Sequence, residues 1–121
     1  MIRVLLVDDE PDVVESLVMA LEGFAEVITA KNGQDALEVI ARETPAKIDA
    51  IVLDLMMPIM SGEQLIMELK QRAITIPVIV ASASRGVEAR CDELGVEFCL
   101  QKPYRLQKLL DHLKSVSSSR S

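Results

Sequence analysis

Short apolar runs alternate along this chain with segments whose apolar residues recur at helical spacing. The first run, Val4–Val7, stops abruptly at Asp8-Asp9. Pro11 then stands where a first helical turn tolerates a missing N–H. Val14, Leu17, Val18 and Leu21 repeat along one helix face, and Gly23 closes the segment. Val27-Ile28-Thr29 predicts a second strand, and Asn32-Gly33 turns into a helix carrying Ala36, Leu37 and Ile40. A third strand, Ala50–Leu53, again ends in an acid, Asp54. After a loop holding Pro58, Ser61 and Gln64 have the spacing of a capping box, opening a helix with Leu65, Ile66 and Leu69 inward. Val78–Ala81 follows Pro77 as a fourth strand. Val87, Cys91 and Leu94 mark a fourth helix stopped by Gly95, and Phe98–Leu100 is a short fifth strand. Leu106, Leu109, Leu110, Leu113 and Val116 form the clearest amphipathic helix in the chain.

Five β–α units result, with strands that are apolar throughout rather than alternating. Such strands belong to a parallel sheet covered on both faces by helices. Right-handed crossovers then make it an α/β, doubly wound, five-stranded parallel sheet. Ligands of such sheets bind beyond the carboxyl ends of the strands, where strand order reverses. No internal repeat is visible. The one low-complexity piece is Ser115–Ser121, so residues 1–116 are expected to form the domain and 117–121 a Ser-rich tail or the start of a linker.

The length of 121 residues fits one domain, and half of those residues are apolar. Aromatics make up only 2%, so Leu, Ile, Val and Met must build the core. A net charge of −6 disfavours direct nucleic-acid binding, which needs a basic surface to displace counterions. No apolar run approaches the roughly 20 residues of a membrane span, and Met1-Ile2-Arg3 lacks a signal-peptide layout. A cytoplasmic protein is expected, with Cys91 and Cys99 as two reduced thiols rather than a disulfide framework.

Asp8, Asp9 and Asp54 each follow directly on a buried strand, at its carboxyl edge. If the first and third strands are neighbours, their ends lie about 5 Å apart and three carboxylates converge. Such a cluster repels itself unless a cation neutralises it. Mg²⁺ suits it, being a hard ion often held by few carboxylates while keeping waters and a phosphate oxygen. Singly, these acids have plainer readings: Asp9 could cap the first helix, and Asp54 could be a turn residue. Ser82 closes the fourth strand run, and Lys102, before Pro103, closes the fifth. A hydroxyl and an ammonium at that same edge suit the oxygens of an acyl phosphate. Four strand ends supplying Asp-Asp, Asp, Ser and Lys in that order are hard to assign to chance.

The sequence resembles the receiver domains of bacterial response regulators, from about Ile2 to Val116. The matching stretches are Val4-Leu5-Leu6-Val7-Asp8-Asp9-Glu10-Pro11, Leu53-Asp54-Leu55-Met56-Met57-Pro58-Ile59-Met60-Ser61-Gly62, Pro77-Val78-Ile79-Val80-Ala81-Ser82-Ala83 and Lys102-Pro103-Tyr104. The resemblance implies a flavodoxin-like sheet of order 2-1-3-4-5 and a two-component signalling phosphoprotein rather than an enzyme. It implies Asp54 as phosphoacceptor, Asp9 as a direct Mg²⁺ ligand, Asp8 acting through a metal-bound water, and the Met56 backbone carbonyl as a further ligand. Ser82 would hydrogen-bond the phosphoryl group, Lys102 would pair with it, and the Lys102–Pro103 peptide would be cis. The phosphoryl group would come from a histidine kinase or histidine phosphotransfer protein in a phosphorelay. The output would be a downstream effector protein or a removed output domain, through a monomer or a phosphorylation-dependent homodimer. The surface of the fourth helix, fifth strand and fifth helix would change shape.

Two departures from that family stand out. Its usual Tyr or Phe three residues before the lysine is Cys99 here. Phe98 cannot replace it, because adjacent strand residues face opposite sides. The segment from Ser82 to Gly95 is also short, and contains Gly86, so a short or irregular fourth helix is expected. Met56 is apolar and cannot orient a hydrolytic water, which predicts slow self-dephosphorylation. Met56, Met57 and Met60 gather in one loop as flexible filler or an adaptable docking surface. Met19 falls off the apolar arc of the first helix, where a partner helix could dock, and His112 is expected on solvated surface. Two alternatives are a pseudo-receiver scaffold independent of phosphate and a magnesium-dependent aspartyl-phosphate phosphohydrolase. The latter typically wants a nucleophile after the first strand with a second acid two residues on, whereas here Asp8 is followed directly by Asp9 and position 10 is Glu before Pro, with no cap segment to enclose a substrate.

Overall fold

Five strands and five helices alternate through the chain. In order they are β1 (Ile2–Val7), α1 (Pro11–Ala20), β2 (Ala25–Ala30), α2 (Gly33–Glu43), β3 (Ala50–Leu53), α3 (Gly62–Gln71), β4 (Val78–Ser82), α4 (Val87–Leu94), β5 (Phe98–Gln101) and α5 (Leu106–Arg120). The computed structural model describes residues 2–43, 48–56 and 59–120; Met57 and Pro58, named above, lie outside these. All strands are parallel, in the order β2-β1-β3-β4-β5. Strand order therefore reverses between β1 and β3, which is where such sheets bind ligands.

Alternation along each strand feeds two cores. Leu5, Val7, Ile51, Leu53 and Val80 face one side, under Leu37 and Ile40 of α2, Leu65, Ile66 and Leu69 of α3, and Val87, Cys91 and Leu94 of α4. Val4, Leu6, Val52, Ile79 and Leu100 face the other, under Leu109, Leu113 and Val116 of α5 and Leu21 just past α1. The expected inward residues of α3 are buried, and the capping box forms: Gln64 N–H donates to Ser61 Oγ and Ser61 N–H to Gln64 Oε1. α4 is only eight residues long, as its short segment predicts, with Gly86 and Gly95 in the left-handed region at its two ends.

Several expectations need correction. No residue of α1 is buried, so the stripe of Val14, Leu17 and Val18 is only partly covered, and Val18 is exposed. Val14 and Leu17 do rest against the α5-side core. The cause is an open cleft between α1 and the start of α5, lined by Val13, Leu17, Ala20, Ala83, Tyr104 and Leu106. Leu106, expected to point inward, is accordingly exposed. His112 is not solvated surface: it is half-buried, its ring 4.9 Å from that of Phe98. Cys91 and Cys99 are not separate thiols; they are joined as a disulfide, with Cα atoms 6.4 Å apart. Composition alone argued for reduced thiols, but Cys91 faces inward from α4 onto β5, where Cys99 faces α4. The helix of α5 runs on to Arg120, through much of the Ser-rich stretch.

Candidate functional site

Register explains why the acids meet. Val7 of β1 pairs with Leu53 of β3, so the next residues, Asp8 and Asp54, leave the sheet side by side. Their backbones stay tethered there: Asp54 N–H donates to the Val7 carbonyl at 3.1 Å and Asp8 N–H to the Ala30 carbonyl at 3.1 Å. On the other side, Ser82 pairs with Gln101, and Lys102 N–H donates to the Ser82 carbonyl at 2.8 Å. The carboxyl ends of β1, β3, β4 and β5 thus present Asp8, Asp54, Ser82 and Lys102 along one edge. The Lys102–Pro103 peptide is cis.

Asp8, Asp54 and Ser82 are buried, whereas Asp9 and Glu10 are exposed. Oxygens of Asp8, Asp9, Glu10 and Asp54 lie within 4.8 Å of one another. That is a hard, oxygen-only donor set carrying excess negative charge, and it fits Mg²⁺. Glu10 was not anticipated as a member. It enters because it is the N-cap of α1, taking the place considered for Asp9, and its own side chain makes no cap bond. Asp8 Oδ1 accepts from Glu10 N–H at 2.9 Å, and Asp54 Oδ1 accepts from Met56 N–H at 3.0 Å. Each buried acid is therefore oriented by a backbone donor two residues on. The Met56 side chain is 66% exposed, so it leaves the mouth of the cluster open.

Lys102 Nζ is the counter-charge, 3.2 Å from Asp8 Oδ2 and 3.7 Å from Asp54 Oδ2. Burial raises the Asp54 pKa above the ordinary carboxylate value; the Met56 N–H and Lys102 pull it down, while Asp8 and Asp9 push it further up. Burial would lower the pKa of Lys102, but Asp54 and Asp8 together outweigh it, and the net shift is upward. Tyr104, beside them, is raised chiefly by burial. An acid destabilised as an anion next to an ammonium favoured in its charged form is poised to gain from a cation or from an electrophile that disperses its charge. Ser82 Oγ accepts from Ser84 N–H at 3.2 Å, so its hydroxyl hydrogen remains available as a donor.

β5 also separates Phe98 from Cys99 as alternation requires. Phe98 packs with the α5-side core, and Cys99 with the core under α4. Among the described residues no helix is long and apolar enough to cross a membrane.

Known proteins share this architecture and sequence. The chain is 35% identical over 119 residues to response regulator MprA of Mycolicibacterium vanbaalenii, covering 95% of this chain and 50% of that protein. It is 39% identical over 118 residues to transcriptional regulatory protein PrrA of Mycobacterium tuberculosis, covering 94% of this chain and 49% of that one. The chain thus spans about half the length of the curated relatives it matches. Among solved structures, the Francisella response regulator 1452 receiver domain superposes with a TM-score of 0.90 at 26% identity over 100% of both chains. Response regulator TrrA of Thermotoga maritima, solved in complex with Mg²⁺ and BeF, superposes with a TM-score of 0.84 at 27% identity, over 96% of this chain and 99% of that one. The sequence profile of the response regulator receiver domain matches residues 4–114, and the chain belongs to that family.

Proposed function

We propose that Asp54 is the phosphoacceptor of this receiver domain and that Asp8, Asp9, Ser82 and Lys102 serve its chemistry. The observation that carries this reading is the pair of buried carboxylates at the β1 and β3 ends with Lys102 Nζ between them. A carboxylate oxygen of Asp54 attacks phosphorus in line. The bond to the imidazole nitrogen of a phosphohistidine breaks, and that nitrogen keeps the electron pair. Asp8, Asp9, Asp54 and the Met56 carbonyl would hold Mg²⁺, which screens charge between nucleophile and phosphoryl group when bound. Lys102 neutralises one phosphoryl oxygen, and Ser82 donates its hydroxyl to another. The raised pKa of Asp54 makes the anion a better nucleophile, and the negative charge that the phosphoryl group brings is met by Lys102. The exposed Met56 offers no hydrogen bond to a hydrolytic water, which favours a long-lived acyl phosphate.

The donor is a histidine kinase or a histidine phosphotransfer protein. The cleft of about 620 Å³ between α1 and the start of α5 has Lys102 in its wall, and Met19 stands 67% exposed on the same helix. Both favour docking of a donor helix there. The phosphoryl group itself carries about −1.5 to −2 of charge, drawing Ser82 and the turn behind it toward Asp54 and reshaping α4, β5 and α5. Output passes to an effector protein or to a further domain of a longer regulator, in keeping with the greater length of the relatives. A monomer or a phosphorylation-dependent homodimer, in a cytoplasmic location, completes the reading.

Incubation with Mg²⁺ and acetyl phosphate or fluoroberyllate tests it. Wild type should gain the mass of a phosphoryl group, or the ¹⁹F resonances of bound fluoroberyllate, and Asp54→Asn should gain neither. A response retained by Asp54→Asn would remove the acceptor assignment. Turnover of small phosphoesters would point to a hydrolase instead.

A further inference from the structure

We infer that Cys91 and Cys99 form a redox lock on the receiver, holding α4 to β5 when oxidised and freeing it to respond to phosphorylation when reduced. This inference rests on the phosphoacceptor reading of Asp54. Cys91 lies on the inner face of α4 and is buried, and Cys99 lies on β5, facing it. Their Cα separation of 6.4 Å falls within the range a disulfide spans without backbone movement.

The position of the bond gives it leverage. β4 ends at Ser82 and α4 begins at Val87, so a turn from Ser82 to Gly86 is all that separates the site hydroxyl from the helix. Ser84 N–H donates to Ser82 Oγ at 3.2 Å, so that turn is hung on the hydroxyl itself. Gly86, with φ of 78°, is the hinge at which it enters α4. A pull on Ser82 therefore reaches α4 first. β5 cannot follow freely, because it is paired along its length with β4. Movement of α4 must then occur against β5, and that junction is the one the disulfide spans.

The other ties on α4 do not prevent such motion. Arg90 bonds Glu63 and Glu93, and Lys70 Nζ bonds the Leu94 carbonyl; these are polar contacts of long side chains that can be remade. Only the sulfur bridge is covalent. Cys99 Sγ also lies 3.4 Å from the Val87 carbonyl oxygen, an acceptor within reach of a thiol hydrogen once the bridge is reduced. α4 is short and has no side-chain cap at its N-terminus, so local opening can expose Cys91 to a small oxidant.

The chemistry balances with hydrogen peroxide as oxidant. One thiolate attacks a peroxide oxygen, the O–O bond breaks, and a sulfenic acid and one water form. The second thiolate attacks that sulfur and displaces a second water. Two thiols lose two electrons and two protons, and peroxide takes up both to become two waters. A thiol reductant reverses it by exchange. Disulfides in reducing compartments are commonly transient and redox-sensing.

The test uses the intact chain, reduced with dithiothreitol or oxidised with hydrogen peroxide, each titrated with fluoroberyllate in Mg²⁺. Intact mass reports loss of two hydrogens, ¹⁹F resonances report binding, and hydrogen exchange follows residues 83–101. The oxidised form should bind fluoroberyllate about tenfold more weakly and should lose the exchange response of α4. Cys99→Ser and Cys91→Ala should each behave as reduced protein under both conditions; two variants guard against one failing to fold. Equal binding and equal exchange with the disulfide formed would overturn the lock while leaving Asp54 as acceptor. Thiols that stay free under peroxide would also overturn it. Failure of the reduced protein to bind fluoroberyllate would sink the acceptor reading, and the lock with it.

Discussion

α3 and α4 cover the same face of the sheet and are built on opposite principles. α3 secures its own start: the Ser61–Gln64 capping box satisfies two backbone donors, and Leu65, Ile66 and Leu69 sink into the core. α4 has glycines in the left-handed region at both ends and no side-chain cap. Val87, Cys91 and Leu94 are buried, but its ends are held by what reaches across to them. Arg90 is clasped by Glu63 of α3, Lys70 of α3 bonds the last-turn carbonyl of Leu94, and Cys91 is bridged to Cys99 of β5. A helix that stabilises itself is a fixture, whereas one held by cross-ties can be released tie by tie. The loop after Asp54 abuts the fixture, and the turn after Ser82 feeds the releasable element. That division of labour suits a switch.

The sharpest break falls where α3 meets the site. Gly62 N–H donates to the Leu55 carbonyl at 3.1 Å. A Cβ at Gly62 would stand 2.5 Å from the Asp54 carbonyl oxygen and 2.8 Å from Leu55 Cα. These are backbone atoms that cannot step aside without moving Asp54. Gly62→Ala should cost about 3 kcal/mol by urea denaturation, at the upper end of overpacking effects, and should abolish fluoroberyllate binding. Unchanged stability and binding would mean that α3 is not the fixture described.

Next in size is the cap. Ser61→Ala removes the acceptor for Gln64 N–H and should lower stability by about 1 kcal/mol. Because the fixture is then frayed rather than displaced, fluoroberyllate affinity should barely change. A loss of binding equal to that of Gly62→Ala would mean that the first turn of α3, rather than the close approach at Gly62, positions Asp54.

Much of this was legible before any coordinates. Each strand ends at a visible change from apolar to polar, so Asp8, Asp54, Ser82 and Lys102 could be placed at one edge from the runs preceding them. Period-two alternation correctly set Phe98 and Cys99 on opposite faces, and the capping box was readable as a four-residue pattern. Three things were not. Helical spacing shows which residues share a face of α1 but not how closely α5 approaches it, and the cleft between them leaves that face half covered. The bridge between Cys91 and Cys99 depends on one residue of a helix meeting one of the next strand, and composition argued for reduced thiols instead. Ile59 adopts φ of 69° while 80% exposed in the loop between β3 and α3; a branched residue is among the least expected there, and no sequence pattern marks it.

The smallest effect concerns the polar clasp, and pH reads it. Arg90 Nε donates to Glu63 Oε1 at 2.8 Å. That hydrogen bond holds the Glu63 carboxyl below its ordinary value of 4.5, and it raises the guanidinium in turn. A carboxyl with a depressed pKa in the folded state contributes stability above its unfolded value, and loses it as pH falls through the folded one. The clasp should therefore be fully present at neutral pH and fade below pH 4.5. Arg90→Gln should lower the urea midpoint at neutral pH by less than Ser61→Ala does, because Arg90 is exposed and Glu63 only partly buried, so water screens the pair. The difference from wild type should close as Glu63 protonates. It should also shrink in high salt, which the disulfide tie would not. A gap between Arg90→Gln and wild type that persisted unchanged at low pH would assign Arg90 a packing role and leave α4 with one fewer releasable tie.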